Sequence, residues 1–110
     1  MKLPGSHNAI IEIEKLRDYS LSPDHPVGKH KAKVFEAALG LRQEHAVEIQ
    51  ECLLGAATSY DCIATKSTMH GQHYEMDFML TRDGKSALVR AVWIIRHDEK
   101  SPRLVTFHVL

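Results

Sequence analysis

In a chain of 110 residues, fourteen Lys and Arg balance fourteen Asp and Glu, so the formal charge is zero unless some of the eight histidines protonate. That balance argues against a protein that coats nucleic acid through a general excess of cations, while leaving room for a local basic patch. No apolar run approaches the roughly 20 residues that cross a bilayer, and charges break up the opening MKLPGSHNAIIEIEK before it can form a signal-peptide core, so a single cytoplasmic domain over residues 1–110 with no membrane segment is expected.

The first apolar run, within NAIIEIEK, could form a short strand, and the pattern then predicts a helix over about 12–21. Pro23 and Pro26 punctuate the next stretch. A second helix is expected from about Val27, with Val34, Phe35, Ala38 and Leu39 on one stripe and Gly40 closing it in the left-handed region. A third helix, ending near Ala57, places Ala46, Ile49, Leu53 and Leu54 inward. Cys52 and Cys62 stand in neither a disulfide framework nor a CxxC pair and read as reduced, buried thiols.

Near residue 59 the apolar period changes from helical to alternating. Four strands are predicted, at roughly 60–67, 71–81, 86–97 and 103–110, with turn signals at MHG, RDGK and DEKSP that favour an antiparallel meander. In the second strand Tyr74, Met76, Phe78 and Leu80 alternate with His73, Glu75, Asp77 and Met79, giving one greasy face and one acidic face. The third strand reads as largely apolar on both faces, as a covered central strand would. The last alternates Val105, Phe107 and Val109 against Leu104, Thr106, His108 and Leu110. The expected fold class is α+β, with three N-terminal helices packed on one face of a four-stranded antiparallel meander.

If the apolar faces share one side of that sheet, then Glu75, Asp77, Arg90, Thr106 and His108 share the other, with cross-strand neighbours roughly 5 Å apart. A carboxylate and a histidine can move protons, and an arginine can stabilise developing negative charge, so the set could serve general acid–base chemistry. An ordinary cross-strand ion pair beside an exposed histidine is the plainer reading.

The front of the second helix poses a separate question. Lys29, His30, Lys31 and Lys33 sit where the backbone carries a partial charge of about +0.5. Lys29 and Lys33 share a helix face and His30 flanks them, whereas Lys31 falls in line with Val27 and Phe35 on the apolar stripe. Either the Lys31 stem lies along the core edge with its ammonium in water, or helix N–H groups and these cations together form an anion site for a phosphate, or for Glu75 and Asp77. No HExxH or comparable ligand spacing joins His25, His45, His70, His73 and His97, and no glycine-rich phosphate loop or GxSxG occurs, so neither a metal nor a cofactor is expected.

The segments LRDYSLSPDHPVGKHKAKVFEAALGL, YEMDFML, VRAVWIIR and PRLVTFHVL resemble a family of small uncharacterised bacterial proteins well represented in cyanobacteria, over nearly the whole chain. The layout of helices followed by a four-stranded meander is also similar, more loosely, to the barnase, EndoU, colicin and RelE class of ribonuclease toxins. That resemblance implies metal-independent cleavage of RNA by its own 2′-hydroxyl. Lys29, Lys31 and Lys33 would bind phosphate, His30 or His108 would exchange the proton, and Arg90 would stabilise the transition state, with Glu75, Asp77 and Thr106 in support. The rival expectation is an interaction module, using the same cationic helix end to bind an acidic protein partner or an exposed strand edge to form a homodimer.

Overall fold

A computed structural model describes residues 1–110. Three helical segments precede a four-stranded antiparallel sheet of order β1-β2-β3-β4. The first helical segment begins as a single α-turn, α1 (Ile13–Lys15), and continues directly into a π-type turn at Leu16–Ser20. The wider turn is closed by the Leu21 N–H donating to the Leu16 carbonyl at 2.9 Å, and it places Leu16, Ser20 and Leu21 in the interior. The apolar run before it forms no full strand. Only Ile10 pairs, beside Arg103, where its N–H reaches the Pro102 carbonyl at 2.8 Å and its carbonyl accepts from Leu104 at 3.0 Å.

Helix α2 (Lys29–Leu39) starts two residues later than its apolar spacing suggests. Ahead of it lies a turn in which His25 Nδ1 accepts the N–H groups of Val27 at 3.0 Å and Gly28 at 2.9 Å and the His25 carbonyl accepts that of Lys29 at 3.0 Å. Gly28 itself lies against the first segment so closely that a Cβ there would stand 2.1 Å from the Tyr19 carbonyl oxygen. Gly40, at φ +67°, closes the helix as expected. The buried stripe is Ala32, Phe35 and Leu39, whereas Val34 is exposed, because the docking face is turned toward Ala32. Helix α3 (Ala46–Ser59) follows a 3-10 turn and buries Ala46, Ile49, Leu53, Ala56 and Ala57, leaving Leu54 outside. Neither cysteine is bonded. Cys62 is buried and Cys52 half-buried, and burial pushes both thiols up from their ordinary values.

The strands are β1 (Ile63–Thr68), β2 (Gly71–Arg82), β3 (Lys85–Arg96) and β4 (Arg103–Val109). The RDGK signal is a two-residue hairpin in which Asp83 and Gly84 both take positive φ, 49° and 78°. Met76, Phe78 and Leu80 of β2, Val89, Ala91 and Trp93 of β3, and Leu104 and Phe107 of β4 join the helices' buried residues in one contiguous core. Phe35 of α2 stacks on Phe107 with ring centroids 4.7 Å apart.

Two sheet expectations need correction. The second face of β3 is not covered along its length: Ile94 is buried, but Leu88 is exposed and Arg90 and Val92 are only half-buried. The alternation of β4 is also broken. Trp93 pairs with Leu104 and Val92 with Thr106, so Val105 is an extra residue without a partner, a bulge. Leu104 consequently shares the core with Phe107, and Val105 is pushed outward.

Candidate functional site

Strand register builds the site. Asp77 of β2, Arg90 of β3 and His108 of β4 occupy one rung, and Glu75, Val92 and Thr106 the next, all on the face opposite the buried Met76, Phe78, Val89, Ala91 and Phe107. Within the first rung Arg90 donates from Nε to Asp77 Oδ1 at 2.8 Å and from Nη2 to Asp77 Oδ2 at 2.9 Å, a bidentate pair, while Nη1 lies 3.4 Å from Glu75 Oε1. The guanidinium holds the Asp77 carboxyl below the usual carboxylate range, and Asp77 in turn raises Arg90.

Helix α2 contributes the second cation. Lys31 Nζ donates to Thr106 Oγ1 at 2.8 Å and sits 5.1 Å from the centroid of the Tyr19 ring. Tyr19 packs against His25 in an edge arrangement, centroids 4.7 Å apart, so the residue that caps α2 also supports the aromatic surface under Lys31. A cavity of about 590 Å³ opens beside this group, lined by Lys31, Thr106, Tyr19, His25, Glu14 and Lys15 among others.

His108 lies two residues beyond Thr106 on the same strand face. Burial pushes its imidazole below the ordinary value, with Lys31 and Arg90 adding to the effect and Asp77 and Glu75 opposing it. Its Nδ1 is buried without a hydrogen-bond partner. A neutral imidazole thus faces two cations and two carboxylates.

A histidine that titrates lower in the folded chain than in the unfolded one contributes stability above the ordinary imidazole value of about 6.5, and this is lost as pH falls through the lower folded value. Asp77 acts in the same direction further into acid, as pH falls through its depressed value. Urea midpoints measured on either side of that imidazole value should therefore drop more for the native protein than for His108→Gln. Parallel drops would place the acid sensitivity elsewhere.

The structure brings Lys31 together with Glu75, Asp77, Arg90, Thr106 and His108 and separates them from Lys29, His30 and Lys33. Those three line a different groove, of about 780 Å³, on the other side of α2. A helical wheel separates Lys29 and Lys33 from Lys31 by about 200°. The front of α2 does not offer all its N–H groups to a ligand either, because His25 already holds those of Val27 and Gly28. Sequence reasoning missed Tyr19 and His25. The usable signal for His25 was a side-chain acceptor placed just ahead of a helix start; Tyr19 carried none beyond its helical spacing. No group of three or more His, Cys, Asp or Glu side chains is arranged to hold a metal ion.

Fold and site together define a small α+β domain, its helical segments ahead of an antiparallel meander that carries a charged cluster on its accessible face. The chain belongs to the family described as a domain of unknown function (DUF6883), whose model matches residues 2–110. No curated protein sequence matches it significantly. Among solved structures it is similar to a chain of the contact-dependent growth inhibition toxin–immunity protein complex from Klebsiella pneumoniae 342, with a TM-score of 0.64 and 13% identity, over 92% of this chain and 99% of that one. At that identity the likeness is one of fold. No helix is long and apolar enough to cross a membrane.

Proposed function

We propose that this domain is a metal-independent ribonuclease of toxin type, working on the accessible face of the meander with the helices layered against the other face. The observation that carries the reading is the reach of Lys31 from α2 onto the sheet, where it meets Thr106 beside His108 and Arg90. The fold likeness to a chain from a toxin–immunity complex supports a role on one side of such a pair. In this reading neutral His108 takes the proton of an RNA 2′-hydroxyl, and the freed oxygen attacks the adjacent phosphorus. Lys31 and Arg90 offset the charge that grows on the phosphoryl oxygens, and Asp77 and Glu75 fix the guanidinium in place. The 5′-oxygen leaves with a proton from the Lys31 ammonium, and solvent restores both groups. Purified protein should cleave RNA in the presence of EDTA, leaving 2′,3′-cyclic phosphate and 5′-hydroxyl ends. RNA that stays intact after prolonged incubation overturns the proposal.

A second reading, a protein-binding module, has its own support. Ile63, Met79, Leu88 and Leu110 lie around the charged cluster with exposures of 64%, 54%, 44% and 51%, an apolar rim of the kind a partner covers. An acidic partner, or a second copy of the chain, would suit it. For a homodimer through β4, the available edge lies beyond Leu104, since Ile10 already occupies its start. The same cleavage assay separates the two readings, because a binding module leaves RNA whole.

A further inference from the structure

We infer that the groove on the far side of α2 is an RNA-backbone exosite, in which Lys29, Lys33 and Arg42, with His30 beside them, hold phosphates remote from the one being cleaved. The inference rests on the ribonuclease reading and extends it to substrate class: an RNA of several nucleotides, wrapped around the front of α2.

The groove encloses about 780 Å³, against about 590 Å³ for the cavity beside Lys31. Its lysines are uncommitted. Lys29, His30 and Lys33 are exposed and take part in none of the chain's ion pairs or side-chain hydrogen bonds, and Arg42 stands 3.8 Å from Glu36, too far for a good bond. Glu36 and Glu44 also line the groove, so three fixed cations, Lys29, Lys33 and Arg42, face two carboxylates. Its deeper wall, from Leu21, Ala32 and Leu41, is part of the buried interior and gives a firm base.

Position decides the role. Lys31 is bound to Thr106 on the sheet side of α2, and the groove cations lie on the opposite side of a helix that is about 10–12 Å across with its side chains. No single phosphate can touch both groups. A strand held by both must pass around the helix end, so Lys29 and Lys33 contribute binding without approaching the reacting phosphorus. Contacts of that kind are made to the backbone, not to bases, so they fix position without reading sequence.

The test uses the double variant Lys29→Glu with Lys33→Glu; both sites are exposed, so the fold should hold, and the urea midpoint verifies it. Binding is read by fluorescence anisotropy over a range of salt, with a labelled oligonucleotide whose 2′-hydroxyls are methylated and therefore cannot be cleaved. The slope of log K against log salt should become shallower by about 1.4, two single-strand phosphate contacts at roughly 0.7 each. With cleavable RNA of the same length, KM should rise while kcat stays put. An unchanged salt slope, or a fall in kcat with KM constant, overturns the exosite. If the native protein binds the methylated strand with the expected lysine-dependent slope but cleaves nothing, the exosite stands and the ribonuclease reading falls. Cleavage with an unchanged slope removes the exosite alone.

Discussion

Replacing His108 with alanine should lower the rate of RNA cleavage roughly 10²- to 10⁴-fold, the span over which a positioned acid–base group contributes. A histidine near an arginine is common. What sets His108 apart is where the charges around it sit. Burial, Lys31 and Arg90 all push its imidazole toward the neutral form, so at neutral pH it is a proton acceptor without needing a separate partner to deprotonate it. Its low titration should appear directly as the acid limb of the pH–rate profile, placed below the usual imidazole value. The side chain is half-buried at the end of the last strand, so its removal should disturb packing little, and the folded fraction of the variant can be confirmed by its denaturation curve. A folded His108→Ala protein that cleaves as fast as the native one sinks the assignment.

Phe35→Ala should cost about 3–5 kcal/mol of folding stability, the usual range for truncating a buried aromatic, read from urea or guanidinium unfolding. Phe35 is fully buried and stacked on Phe107, so it joins α2 to the strand that carries Thr106 and His108. Domains of this size have about 5–15 kcal/mol to lose, so the variant should be marginal or partly unfolded near body temperature. Phe35→Leu retains most of the apolar volume and should lose much less. A loss below about 1 kcal/mol for the alanine variant would mean that α2 is not seated on β4 by this contact.

What the sequence made legible was the part governed by period. Tyr74 to Leu80 alternate strictly, so the two faces of β2 could be assigned without a structure, and with them the facing of Glu75 and Asp77. RDGK names its turn because Asp83 and Gly84 tolerate positive φ. Gly40 marked the end of α2 for the same reason. Other features depend on how elements meet, which no local spacing encodes. Lys31 stood out as a cation on an apolar stripe, but its destination at Thr106 follows from the seating of α2 beside β4. The spacing of Lys29 and Lys33 already set them across the helix from Lys31, and the packing around α2 turns that angle into two separate cavities. Val34 and Leu54 fit their helical stripes yet remain outside, because the rotation of each helix about its axis is fixed by its neighbours. His25 was invisible as a cap because its imidazole does the work usually left to Ser, Thr, Asp or Asn.

The unpaired Val105 has a wider effect than a local kink. Side chains on a strand take turns, and an odd insertion reverses whose turn it is: Leu104 and Phe107, three apart, both meet hydrocarbon, and Thr106 and His108 fall half-buried on the opposite face. Were Val105 to take the rung opposite Val92 in place of Thr106, every later residue would slip by one and turn hydroxyl and imidazole into the oily interior. The phase of the C-terminal segment, and with it any chemistry this surface performs, therefore hangs on Val105 staying out of the ladder.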